Sequence, residues 1–168
     1  MKETVRPRGK FIVRCLTKES NFKVERWRDE FPNLVVTEGL TELLANGLLS
    51  LTNYIFLTGT TPSPAAGDTM ASHAGWTEFT GYDEATRPEW VDVQTGASAD
   101  NVASVAVFTI TLATQTIGGA GLARSATKGE SASILYCVSA FGGGDRTGNA
   151  AGDQIEVTYT CTTADDGV

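Results

Sequence analysis

At 168 residues the chain is long enough for one domain that buries a full core without disulfide or metal staples. Apolar residues make up 41% and charged residues 20%, which argues against an intrinsically disordered chain. A formal charge of −7, from 20 acidic and 13 basic residues, argues against a general binder of nucleic acid or of anionic membrane, since both partners require a basic face.

The charge is unevenly placed. Nine of the basic residues fall between Lys2 and Arg28, so the remainder of the chain is strongly acidic. This segment opens with period-two alternation. From Lys10 to Leu16, Phe11, Val13 and Cys15 alternate with Ile12, Arg14 and Leu16. A turn at Lys18–Asn21 leads to Phe22, Val24 and Trp27, and the pair reads as a basic hairpin. The hairpin either solvates itself or docks on an acidic neighbour.

A helix is expected over Glu38–Leu48, capped by Thr37 and weakened by Gly47. Its leucines Leu40, Leu43, Leu44 and Leu48 recur at helical spacing and are expected to face the sheets. Asn53–Thr58 reads as a short buried strand, and Gly59–Gly75, with Pro62, Pro64 and Gly67, as a long loop. Further strands are expected at Trp90–Val93, Val105–Leu112, Gln115–Ala123, Ser133–Phe141 and Asp153–Thr162. Leu112 is expected on the face of Phe108 and Ile110, and Val138 on the face of Ile134 and Tyr136. The last strand alternates most cleanly, with Ile155, Val157, Tyr159 and Cys161 against Glu156, Thr158 and Thr160. Gly142–Gly144 lacks the spacing of a phosphate loop and reads as a hairpin tip between the last two strands. The pattern predicts an all-β fold, a jelly-roll or Greek-key β-sandwich of about eight strands with one short helix. Residues 1–8 are expected to form a flexible arm, 9–162 the sandwich and 163–168 a tail.

Catalytic groups are sparse. His73 is the single histidine and lies in a loop. Cys15 and Cys161 share strand faces with large apolar residues and read as core fillers, while the face of Cys137 is not assigned by its neighbours. No Cys/His cluster has metal-ligand spacing, so neither a metal nor another cofactor is expected. Asp83, Glu84 and Asp92 lie near Trp76, Tyr82 and Trp90, a combination that can mark a sugar cleft, but neighbouring acids on a turn more often serve solvation. The expectation is a protein that is not an enzyme. The polar N-terminus lacks the apolar core of a signal peptide and no apolar run reaches membrane-spanning length, so folding in a cytoplasm is expected.

The order of segments is itself informative. The basic hairpin is followed by VVTEGLTELLANGLL at 35–49, IFLTG at 55–59, DTMASH at 68–73 and GWTEFTGYDEATRPEW at 75–90. Then come IGGAGLARS at 117–125, SILYCVSAF at 133–141 and AGDQIEVTYT at 151–160. This arrangement resembles small virion proteins of tailed bacteriophages, and among them head decoration, or cement, proteins with a jelly-roll-like body. The resemblance runs from Gly9 to Thr162 and rests on fold determinants. It implies a structural protein made in the host cytoplasm and assembled on a virion, without itself distinguishing head from tail; the acidic body and the scarcity of catalytic groups suit the head exterior. Its partners would be the major capsid protein and other copies of itself, as a trimer or dimer, with no nucleic acid and no membrane. A tail or tail-fibre component contacting a host surface or glycan is the alternative. Candidate interface residues are Arg14, Arg26, Trp27 and Arg28 in the hairpin, with Trp76, Tyr82 and Trp90 as aromatic anchors.

Overall fold

Two long strands at opposite ends of the chain form the centre of the fold. In the computed structural model, which describes residues 5–165, β1 (Val5–Leu16) and β11 (Gln154–Asp165) pair antiparallel from Val5↔Asp165 to Leu16↔Gln154. Period-two alternation decides their faces: Phe11, Val13, Cys15, Ile155, Val157 and Tyr159 are fully buried, while Arg14, Glu156 and Thr158 face outward. The expected arm and tail are therefore partly strand, because residues 5–8 pair with 162–165; positions 1–4 and 166–168 lie outside the described residues.

This pair is flanked by β2 (Glu25–Pro32) on the free edge of β1. On the other edge of β11 sit β7 (Ser98–Asp100) and β8 (Ala106–Thr109), and β6 (Val93–Thr95) lies beyond β7. The gap between β7 and β8 is filled by a buried side chain. Asn101 Nδ2 donates to the Val157 carbonyl at 3.1 Å, and its Oδ1 accepts the Tyr159 N–H at 2.8 Å, so the β11 backbone stays paired where no strand faces it.

The second sheet has the order β3 (Leu34–Val35), β10 (Leu135–Ala140), β9 (Gly119–Ala123), β4 (Tyr54–Thr58) and β5 (Glu78–Phe79). Its middle strands read as continuous apolar runs because both of their faces are covered. All five residues of β9 are buried, as are Ile55 to Thr58 of β4. The inner face meets the first sheet around Leu57, Leu122, Tyr159 and Phe108. The outer face carries a second cluster of Val36, Phe56, Met70, Trp76, Ala123, Leu135 and Val138. Gly121 is required here: a Cβ would come within 2.3 Å of the Phe56 ring. Among the described residues the fold is thus all-β with one short helix and two antiparallel sheets, of eleven strands rather than about eight; the three additional ones, β3, β5 and β7, are only two or three residues long.

The helix, α1 (Thr37–Asn46), lies against β10, and Gly39 allows the approach, since a Cβ there would fall 2.2 Å from the Tyr136 carbonyl oxygen. Its N-cap is Val36 in extended conformation, not Thr37, and no side chain caps it. Glu38 serves another purpose, accepting the Leu135 N–H at 2.8 Å. At the far end Arg124 donates to the carbonyls of Gly47 and Leu51 and forms an ion pair with Glu42 at 3.1 Å. Only part of the leucine stripe faces the sheets. Leu48 is buried and Leu43 packs on the core, Leu40 is exposed, and the side chain of Leu44 lies outside the described residues.

Three further expectations change. A bulge between Leu135 and Cys137 breaks the alternation of β10, sending both Tyr136 and Cys137 into the inter-sheet core and Val138 to the outer cluster. β8 stops at Thr109, and Leu112 is exposed. Gly142–Gly144 is not a hairpin tip, because β10 and β11 belong to different sheets. The segment crosses between them and is held by Asp29, whose carboxylate accepts the Gly143 N–H at 3.1 Å and pairs with Arg146 at 2.8 Å.

Candidate interaction surfaces

Four of the hairpin cations already have partners. Arg14 is bound to Glu156 of β11, its Nε 2.7 Å from the carboxylate. Lys10 meets Glu30 at 2.9 Å and holds that carboxyl below its usual range. Arg28 lies directly opposite Arg14 in the β1–β2 register and is half exposed, with Glu30 at 3.9 Å. Among the described residues Arg8, Lys18 and Lys23 form no ion pair.

Arg26 has a structural role. It reaches Asp153 at 2.9 Å, and that carboxylate, almost fully buried, also accepts the N–H groups of Lys18 and Ala150. Asp153 therefore fastens the hairpin turn to the start of β11. Arg26→Ser leaves this carboxylate with neutral donors alone, the two backbone N–H groups and the Cys15 thiol at 3.9 Å. The expected cost is about 1–3 kcal/mol, below that of a fully buried pair because the guanidinium is one-third exposed. Arg28→Ser should be silent on the same urea denaturation curve. Equal costs for the two would contradict this assignment.

Trp27 is half-buried and tied down. Its Nε1–H donates to Asn149 Oδ1 at 3.0 Å, and its ring packs against Phe141 and under the Arg146 guanidinium. The other three aromatic candidates are core residues, with exposures of 5% for Trp76, 2% for Tyr82 and 2% for Trp90. Trp76 stacks between Phe56 and His73, which also gives the lone histidine a packing role. Tyr82 meets Phe108 edge-on beneath the Lys128 ammonium, and burial pushes its phenol well above the ordinary value. All three rings are packed in the core. Of the acids beside them, Glu84 accepts the backbone N–H and the hydroxyl of Thr109.

All three cysteines are buried free thiols, and the bulge of β10 settles the face of Cys137. Burial pushes Cys15 and Cys137 from the ordinary 9.0 to about 12, and Cys161 upward as well. Such thiols are poor nucleophiles. Between pH 9 and 12 the unfolded chain gives up these protons while the folded chain keeps them, so stability falls as pH rises through that window. The expected result is a thermal midpoint that declines from about pH 9 upward, less steeply in Cys137→Ala. Iodoacetamide should label the thiols only on unfolding. An equal alkaline slope in the variant would show that the thiol does not contribute.

One surface feature was not read from the sequence. Leu49 and Leu51, just after the helix, and Val91 and Val93, just before and in β6, are all exposed. Leu49 also lines an apolar groove of about 130 Å³ with Leu43, Leu48 and the β6–β7 turn, and Leu49, Leu51 and Val91 border a second groove with Glu89 and Asp92. The run LLSL at 48–51 is the signal that could have found it, since the helical stripe accounts for Leu48 alone and leaves Leu49 and Leu51 over. Among the described residues no group of three or more His, Cys, Asp or Glu is placed to hold a metal ion, and no helix is long and apolar enough to cross a membrane. Comparison with protein-family models, curated proteins and solved structures gives no match to this chain.

Proposed function

We propose that the protein is a non-enzymatic structural component of a tailed-phage virion that binds the outer capsid surface and stabilises the shell, its two sheets forming a jelly-roll-like body. The observation that carries the reading is the exposed apolar corner formed by Leu49, Leu51, Val91 and Val93 on an otherwise acidic body, a surface suited to burial against another protein. The sequence resemblance supplies the virion context. A body that spans capsomer seams resists the pressure of a packed genome. Each standard contact buries about 1,600 Å² in total, and many copies add through avidity. The partners are the major capsid protein and other copies of the chain.

Copy number in purified particles tests this reading. On the order of hundreds of copies, set by the icosahedral lattice, is the expected result. A few to a few dozen would move the protein to the tail, the alternative role in contact with a host surface. Absence from particles would overturn both.

A further inference from the structure

We infer that copies of this chain associate head to tail, the hairpin tip of one copy seated on the apolar corner of the next. This names the self-interface of the reading above and rests on it.

The corner comprises Leu49, Leu51, Val91 and Val93 beside the groove floored by Leu43 and Leu48. Its rim is acidic. Glu89 and Asp92 border it, and no lysine or arginine lines either groove. Burial already holds the Asp92 carboxyl above its ordinary value, so a cation brought here would relieve an under-compensated acid.

The complementary feature is the turn between β1 and β2. Val24 is exposed, Phe22 is partly exposed, and Lys18 and Lys23 flank them with no acidic partner among the described residues. This is an apolar knob with a basic rim. It is also built rigidly. Asn21 and Phe22 both adopt left-handed backbone, with φ of 54° and 60°, which is costly for an aromatic residue. The turn is held by Phe22 N–H on the Thr17 carbonyl at 3.0 Å and by Ser20 Oγ accepting the Val24 N–H at 2.9 Å. A preorganised knob loses little entropy on docking.

Position then sets the symmetry. The turn adjoins Leu16, which pairs with Gln154, whereas β7 and β6 pair at the Thr160–Thr162 end of β11 and on its other side. Eight residues along the strands and three strand spacings across put knob and corner roughly 30 Å apart at diagonal ends of the body. Different patches meeting in this way give a heterologous contact, which closes into a ring such as a trimer or extends into a filament.

Sedimentation velocity on the full chain over a concentration series tests the interface. The wild-type chain is expected to form oligomers. Lys23→Glu/Val24→Glu removes the knob, Leu51→Glu/Val93→Glu removes the corner, and each variant alone is expected to be monomeric. Circular dichroism, and melting at concentrations low enough for the wild-type chain to be monomeric, should be unchanged, because these side chains are solvent-exposed. The decisive sample is the equimolar mixture. One intact knob and one intact corner remain, so 1:1 heterodimers should form and grow no further. A wild-type chain that stays monomeric throughout, oligomers that persist in either variant, or a mixture that stays monomeric would each overturn the inference. These outcomes are independent of copy number in particles, so the interface can fail while the decoration reading stands.

Discussion

Arg87→Met is expected to destabilise the fold by about 3–5 kcal/mol, the usual cost of removing one partner from a buried ion pair. Arg87 and Glu78 are the most deeply buried opposite charges among the described residues, with side-chain exposures of 0% and 6%. The contact is bidentate: Nε donates to one carboxylate oxygen at 2.8 Å and Nη2 to the other at 2.6 Å. Nη1 also donates to the Ser125 carbonyl and Nη2 to that of Glu130, and Glu78 accepts the Gly129 N–H. Two loops and the short edge strand β5 are thus fastened by one pair. Methionine fills the arginine volume but leaves the Glu78 carboxylate buried and uncompensated. Removing both charges, as Arg87→Met with Glu78→Leu, should cost much less than the sum of the single changes. Urea denaturation of the four proteins measures this. A cost below about 1 kcal/mol for Arg87→Met, or simple additivity, would mean that the pair is solvated and does not hold the loops.

Nothing in the sequence singled out Arg87. It sits in TRPEW with the composition of an exposed turn, and only the fold brings Glu78 and the 125–130 loop around it. The same limit explains the other differences. Alternation located β1 and β11 and their faces because each strand has one face in the core and one outside, and that contrast is written residue by residue. For β4, covered on both sides, the apolar run discloses burial but not which layer each side chain enters, and for β9 the glycines hide the burial as well. In β10 a single bulge inverted the expected faces, which periodicity alone does not reveal. The hairpin is legible as a strand pair, but the sequence does not disclose which of its cations are already paired within the fold. The acids that neutralise Arg14 and Arg26 are Glu156 and Asp153, well over one hundred residues away in the chain. Trp76, Tyr82 and Trp90 lie in the core for a related reason: tryptophan and tyrosine are favoured both in cores and at interfaces, and exposure is decided by tertiary packing.

Trp90 is where these two roles separate most sharply in an experiment. Its ring lies edge-on to Tyr159 with centroids 5.5 Å apart, and Nε1–H donates to the Tyr159 carbonyl at 3.1 Å. Its own N–H is bound to the Asn53 carbonyl at 2.8 Å, so backbone and side chain both anchor the segment that leads into β6. Tyr159 in turn packs on Phe11 at 4.6 Å, at the centre of the β1–β11 pair. Trp90→Ala opens a cavity between the sheets that this close-packed neighbourhood cannot collapse to fill, and an expected cost of about 3–5 kcal/mol follows. Trp90→Phe keeps most of the ring but removes the donor, and should cost about 1–3 kcal/mol. The graded loss, read as urea midpoints with an unchanged m-value, is the mark of a packed core residue. If Trp90→Ala instead left the midpoint in place and abolished attachment to undecorated shells, Trp90 would be a surface anchor after all, and the inward packing of the segment before β6 would be wrong.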